Sequence, residues 1–434
     1  MKIALKKLYI NRINLFITGI TLMLLGITML YLKTNFLNLI ISLIASIFII
    51  TGISHFITSI GGKNKNISDK VSIGNSIFNI ILGLAIMIFD NISLSILPIL
   101  FAIYAILNGL VKVISYCTYL KNKVRGRLKL LIECIIYLGF GVTLLFSPLF
   151  HLDRVLIIIA IYCILLGLNF IKDFIGEIIP KKIKNKLKRK VRITLPVFLV
   201  ALIPHKILTN INEYLNDEDI IEDIDKDEKE SEEEVDLEVF IHVTLDGIGA
   251  VGHVDLYYEG EVISYGNYDE NSYKLHGIMG DGILFTTKKD EYINFCISYS
   301  KKTIFGYGIK LNDTQKKEIK KRINEIKSNL YSWQPKIVED KINNKDTNLE
   351  EYTDYASILY KATGAKFYKF KSGKFKTYFG LNTNCVLLAD SVIGKAGIDL
   401  LNIGGIITPG TYYNYFQNEF KKRNTIVVTR NIYK

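Results

Sequence analysis

Apolar residues dominate the first 177 positions, broken by short polar or basic connections into stretches at about 13–32, 36–60, 72–89, 94–119, 129–148 and 153–175. Each is close to the ~20 residues that a helix needs to cross the hydrocarbon of a bilayer. The pattern predicts six spans. The connections differ in charge: those after the second and fourth stretches carry Lys63, Lys65 and Lys70, then Lys121, Lys123, Arg125, Arg127 and Lys129, whereas the opposite turns hold little beyond Lys33 and Arg154. Basic loops stay on the cytoplasmic side, which predicts a plasma-membrane protein with its N-terminus and the chain beyond the sixth span in the cytoplasm. Lys2, Lys6, Lys7 and Arg12 precede the first run with no small-residue cleavage site after it, so an uncleaved span is expected.

Within the apolar region the glycines repeat. Gly26, Gly83 and Gly141 are spaced by 57 and then 58 residues, as are Gly52, Gly109 and Gly167. Two series with one spacing imply three copies of a helical hairpin, with glycine at positions where helices approach closely in lipid. This threefold hairpin resembles the HdeD acid-resistance membrane protein family over roughly residues 10–177, a resemblance that implies a six-helix transmembrane bundle and little chemistry. His55, Lys112 and Glu133 are the ionisable residues inside spans, candidates for a transport or proton-relay role unless they reach the interface by snorkelling.

Past the sixth span the pattern changes. Residues 178–215 begin with the basic run Lys181 to Arg192, suited to anionic lipid, and continue into Ile193–Ile203, eleven residues that include Pro196. That stretch is too short to span and reads as a surface-lying segment extending through Leu208 and Ile211. Residues 216–236 are an acidic linker too charged to bury a core. From 237 to 434 the composition is that of an α+β domain. Strands are expected at Leu237–Leu245, Val251–Tyr258, Glu261–Tyr265, Gly282–Thr287, Tyr292–Tyr299 and Thr303–Leu311. A helix capped by Asn312 follows, with Ile319, Ile323, Ile326 and Leu330 on its apolar face. Further helices are expected around Tyr352–Ala362, from Cys385, and after Thr408-Pro409-Gly410, with a closing strand at Thr425–Thr429.

The net charge of +12 belongs mostly to loops beside the apolar runs and accompanies no nucleic-acid-binding motif. The five cysteines include no CxxC pair, and HExxH is absent, so neither a disulfide framework nor a bound metal or other cofactor is expected. Asp246 to Gly252 contains GxGxxG, but it leads into a strand where a dinucleotide fingerprint must open a helix.

Chemistry concentrates at two places. Asn384 is a good N-cap and puts Cys385 in the first turn of a helix, where the partial positive charge of the helix end favours the thiolate. His253 lies on a strand that returns through Glu259-Gly260 into Val262-Ile263-Ser264-Tyr265. Alternation places His253, Asp255 and Tyr257 on one face, although residues two apart on one strand are poorly set for a hydrogen bond. Asp255, Ser264 and Tyr265 are therefore all candidates to orient the imidazole. Cys296 reads as core, and His242 and His276 as structural. The strand Gly252-His253-Val254-x-Leu256-Tyr257 with its tight turn, and Cys385 opening a helix, resemble the NlpC-type papain-like superfamily in the circularly permuted order of the lecithin retinol acyltransferase-like enzymes. The resemblance covers about 237–425. It implies a papain-like fold, Cys385 as nucleophile, His253 as base, a polar third residue, and an acyl, amide, peptide-like or lipid-linked substrate. Where that family has His, Asn or Gln on the returning strand, this chain has Ser264 or Tyr265. Together these readings describe a membrane-anchored thiol hydrolase or acyltransferase. The alternatives are a non-catalytic membrane stress or scaffold protein with a degenerate binding domain, and a small-solute transporter with a regulatory tail.

Overall fold

The computed structural model describes residues 12–61, 67–178, 190–193, 234–243, 252–344, 352–396, 398–401, 409–421 and 425–433. Lys2, Lys6, Lys7, Lys63 and Lys65, the basic run up to 189, the apolar segment from 194, the acidic linker up to 233, the glycine-rich loop at 246–251, and Thr408 lie outside the described residues. The chain forms two compact units, one of residues 16–110 and 132–171, the other of 1–15, 111–131 and 172–434.

Six helices occupy the apolar region: α1 (Arg12–Leu32), α2 (Thr34–Gly61), α3 (Ile67–Ile88), α4 (Asp90–Lys121), α5 (Leu128–Phe146) and α6 (Leu152–Ile178). Five are long and apolar enough to cross a membrane; the exception is α3, whose described apolar stretch is Ile73–Ile88. Leu39, Ile50, Ile57, Phe78 and Ile88 are exposed, as lipid-facing side chains are. The repeated glycines form three seams. A Cβ on Gly52 would fall 2.8 Å from the carbonyl of Ser76, and one on Gly83 2.8 Å from that of Ala45, so α2 and α3 touch through backbone. Gly109 faces Leu138 while Gly141 faces Ala102 and Ile106, which joins α4 to α5. Gly26 lies against Ala160 and Gly167 against Gly19, bringing α6 back to α1, with clearances of 2.6 Å to the carbonyls of Ala160 and Gly19. Each seam therefore links the second helix of one hairpin to the first helix of the next, and the third closes a ring. At the start of α2, the Thr34 hydroxyl donates to Asp153 at the start of α6 at 2.6 Å.

The second unit is built on an eight-stranded sheet. Its strands are β2 (Leu237–Val243), β3 (His253–Tyr258), β4 (Glu261–Gly266), β6 (Ile283–Thr287), β7 (Thr303–Ile309), β8 (Leu330–Trp333), β9 (Lys366–Phe370) and β12 (Val427–Tyr433). They lie in the order β12-β7-β2-β3-β4-β6-β9-β8, each pair antiparallel. Two small pairs stand apart: β1 (Lys190–Ile193) runs parallel to β11 (Ile398–Leu401), and β5 (Met279–Asp281) pairs with β10 (Thr377–Phe379). The described end of the basic run is thus strand.

Helices cover both faces of the sheet. Leu237, Val239, Ile241, Val254, Leu256 and Ile263 pack on one side against α8 (Asp313–Ser328), α11 (Cys385–Ile393) and α12 (Pro409–Phe420). Phe240, Val262 and Phe285 pack on the other against α7 (Lys289–Ser298) and α10 (Tyr355–Thr363). A short helix, α9 (Lys336–Ile342), precedes α10. The capping box expected at Asn312 is present, with reciprocal bonds of 2.9 Å to Gln315, and Ile319, Ile323 and Ile326 are buried beneath it.

Two expectations are overturned: Leu330, placed on the apolar face of the Asn312-capped helix, opens β8 because that helix ends at Ser328, and a stretch read as strand is helix. Tyr292–Tyr299, rich in aromatic and β-branched residues, reads as a strand, but it lies largely within α7. Tyr292, Ile293, Phe295 and Cys296 recur at helical spacing and are all buried, and Asp290 and Glu291 suit the positive end of the helix. Tertiary burial of that stripe outweighs local β propensity. Cys296 is core as expected, but on a helix; burial, with Asp255 adding to it, pushes its thiol up to about 12.

Candidate active site

Gly252 leads the chain into β3 at φ +76, with its missing side chain against the carbonyl of His242. Any Cβ would collide there, so glycine is what lets β3 start beside β2 with His253 opposite His242 in the register. The hairpin then turns through Glu259 and Gly260, both at positive φ, as the Glu-Gly pair predicts. Pairing between β3 and β4 is kept only from Leu256–Ile263 to the turn. Beyond it the strands part, and His253, Asp255 and Ser264 line the gap.

His253 Nε2 lies 2.8 Å from Asp255 Oδ1 and 3.0 Å from Ser264 Oγ. Ser264 Oγ lies 2.8 Å from the Tyr268 hydroxyl, itself 3.4 Å from Nε2. The second oxygen of Asp255 takes His242 Nε2 at 2.7 Å and accepts the Tyr292 hydroxyl at 2.7 Å. The two imidazole–carboxylate approaches are ion-pair distances whose ring N–H directions miss the carboxylate lone pairs. The Ser264 and Tyr292 contacts carry the directional hydrogen bonding. Asp255 is fully buried, and a carboxylate in that position persists only with such partners.

Asn384 caps α11 as expected: its Oδ1 accepts from Leu387 N–H at 3.0 Å, and its amide donates to the carbonyl of Gly380 at 3.0 Å. Cys385 is therefore held at the first helical position, 4% exposed, with His253 and the Tyr378 hydroxyl as its polar neighbours. The site thus joins a strand of one edge-parted hairpin to the start of a helix far along the chain.

Burial works to lower the His253 pKa, but the Asp255 carboxylate and the Cys385 sulfur beside it together outweigh that and raise it to about 10. His242 goes the other way: burial holds it below its ordinary value against the pull of Asp255. Of the two imidazoles sharing one carboxylate, His253 carries the proton and His242 is neutral. Burial opposes ionisation of Asp255 too, yet the two histidines leave its pKa well below the usual carboxylate range. Tyr268 and Tyr292, raised well above the ordinary phenol value by burial, stay protonated and act as donors.

Of the residues singled out in the sequence, Cys385, His253, Asp255 and Ser264 come together, and Tyr265 does not. Alternation puts Tyr265 on the opposite sheet face, where its hydroxyl donates to the carbonyl of Phe375 at 3.0 Å. Asp255 reaches His253 despite sharing its strand because the imidazole leans along the strand at the gap. His242, read as structural, belongs to the cluster, and its place directly opposite His253 on a neighbouring strand was the available signal. Tyr268, Tyr292 and Tyr378 come from a loop, a helix and a short strand, with no sequence mark of their own. Tyr265→Phe is expected to leave the alkylation rate of Cys385 unchanged, whereas Ser264→Ala slows it several-fold at neutral pH; equal rates in the two variants would refute this assignment. Among the span residues, His55 is exposed and Lys112 half-buried.

No curated protein and no solved structure matches the chain. The family model described as a short repeat of unknown function, DUF308, matches residues 17–73 and 74–146. The first match covers α1 and α2, and the second runs from within α3 through α4 and α5. The N-terminal region of this multi-pass membrane protein is thus made of DUF308 repeats, a membrane-protein family that is HdeD-like.

Proposed function

We propose that residues 237–434 form a papain-like domain of permuted order that acts as a thiol hydrolase or acyltransferase, carried by six spans with both ends of the bundle in the cytoplasm. The observation that carries the reading is the meeting of Cys385, at a capped helix start, with His253, whose Nε2 lies beside Ser264 and Asp255. In this reaction the Cys385 thiolate adds to the carbonyl of an ester or amide. The negative charge gathers on the carbonyl oxygen, where the amides of Cys385 and Val386 at the helix start stabilise it. The His253 imidazolium gives its proton to the departing alcohol or amine as the carbon–heteroatom bond breaks, leaving a thioester. A water or an acceptor alcohol, deprotonated by the now neutral His253, then releases the acyl group and restores the thiolate.

The orientation draws support from α4. Asn122, just past its end and within the basic connection to α5, donates to Thr377 of β10 at 2.9 Å. That contact supports a cytoplasmic domain, since basic loops stay on the cytoplasmic side. That argument is independent of whether residues 193–203 cross the membrane.

The test is thioester trapping. Full-length protein incubated with a p-nitrophenyl acyl ester should gain one acyl mass on the peptide containing Cys385, and Cys385→Ser should gain none. No adduct, or one spread equally over the other cysteines, would end the catalytic reading in favour of a binding domain, whose supporting observation is the burial of the thiol.

A further inference from the structure

Cys385 is buried, so what covers it bears on what reaches it. The last two turns of α4 carry Ser115, Thr118, Tyr119 and Asn122, spaced three, one and three residues apart, which puts them on one helical face. Ser115, Thr118 and Asn122 are buried. The face is covered by the segment that leads into Cys385: Asn382 donates to Ser115 Oγ at 2.8 Å, Asn122 donates to Thr377 Oγ1 at 2.9 Å, and Tyr119 hydrogen-bonds Thr383. Ser115 lies six residues before Lys121, about 9 Å up the helix axis at the usual rise. The strand end before the thiol thus reaches past the basic end of the span.

A second observation lies beside the first. The turn after Tyr273 is pinned by the Lys274–Met279 backbone pair at 2.8 and 3.1 Å, with Leu275, His276 and Gly277 all at positive φ. It is rigid, and it displays rather than hides its apolar side chains: Leu275 is 52% exposed and Ile278 46%. Gly380 N–H donates to the carbonyl of Ile278 at 2.9 Å, which sets Leu381, 42% exposed, next to this tip. Lys274 and Lys376 are exposed around it, as are Lys121, Lys123, Arg125, Arg127 and Lys129 beyond the end of α4. An apolar tip ringed by cations and continuous with the end of a span fits one partner, the interfacial layer of an anionic bilayer.

We propose that the tip formed by Leu275, Ile278 and Leu381 is seated in the cytoplasmic interface of the bilayer beside α4, so that acyl chains pass sideways from the lipid to Cys385. The seating stands on the tip and on α4; the passage of substrate rests on the catalytic reading above. Strained backbone at a rigid display turn is the kind of cost that persists where a surface has a use.

The chain has a single tryptophan, Trp333, so a Trp333→Phe background gives a clean probe. Leu275→Trp in the full-length protein, reconstituted in phosphatidylglycerol vesicles, is expected to lose about half its emission when the lipid is brominated in the upper acyl chain, as an interfacially buried indole does. Ile342→Trp, at an even more exposed apolar position, should lose none. Equal behaviour of the two probes overturns the seating whatever the fate of the thioester experiment. For the passage, Leu275→Asp with Ile278→Asp should slow thioester formation from a vesicle-embedded acyl ester about tenfold, the equivalent of about 1.4 kcal/mol, and leave the rate with a soluble short-chain ester unchanged. Unchanged or equally reduced rates with both esters overturn it.

Discussion

Replacing His253 by alanine is expected to slow alkylation of Cys385 by iodoacetamide at least about tenfold at pH 6.5, because the thiolate is the reacting species and loses the imidazolium that stabilises it. The wild-type thiol has the imidazolium as its partner, and the imidazolium persists far above neutrality because its pKa is raised to about 10. The difference between wild type and variant should therefore persist from pH 6 through neutrality. His276→Ala, at an exposed histidine in the turn after Tyr273, serves as the control and should match wild type. Equal labelling of wild type and His253→Ala across this range would remove the dyad. The same pair leaves a mark on stability. A histidine whose pKa is raised in the folded state contributes most below its unfolded value of ~6.5 and loses that contribution as pH climbs towards about 10. Asp255, depressed well below its usual value, contributes above ~3.9 and loses its share as pH falls through the depressed pKa. Unfolding of the second unit should thus be most resistant between about pH 4 and 6.5 as far as these two groups decide it.

Gly167→Leu is expected to lower the thermal unfolding temperature of the detergent-solubilised protein markedly, while Gly139→Leu leaves it unchanged. A Cβ at 167 would fall 2.6 Å from the carbonyl of Gly19, a backbone atom that no rotamer change can move aside. At 139 nothing lies within 4 Å. The helices at the α6–α1 seam would have to separate, and overpacking of this kind costs about 1–3 kcal/mol or more, with loss of the close contacts that hold helices together in lipid. Helix propensity cannot explain a difference, since both variants replace glycine by the same strong helix former. Matching unfolding temperatures would show that the seams do not hold the bundle.

Much of this architecture can be read along the chain, and the reasons differ by level. Span glycines are legible because close packing in lipid admits only small residues, so a spacing of 57 and 58 survives wherever the hairpin is repeated. Their partners are not legible, since spacing within a hairpin says nothing of which neighbouring hairpin each glycine meets. His253, Asp255 and Ser264 can be placed on one side of a sheet by alternation and a two-residue turn, both of which are local rules. Tyr265 falls to the same rule, one residue from Ser264 and hence on the other face. Tyr268 and Tyr292 enter the site from segments whose position depends on the whole fold. For Tyr292 the aromatic, β-branched character of α7 pointed to the wrong element altogether. The polar face at the end of α4 is hidden for another reason: four residues in a long apolar run barely change its hydropathy, and only their covering by residues 377–383 gives them meaning.

The ring of three hairpins has a further consequence in its symmetry. Three identical hairpins assembling from separate chains would offer three equal docking faces around the axis. Joined in one chain, the copies are free to diverge, and at these positions all three differ. Positions matching Ser115, Thr118, Tyr119 and Asn122 hold Thr58, Gly61, Gly62 and Lys65 in the first copy, and Asp173, Gly176, Glu177 and Pro180 in the third. Fusion of the repeats is what lets a pseudo-threefold set of hairpins keep, at the end of one copy, the polar face that residues 377–383 cover.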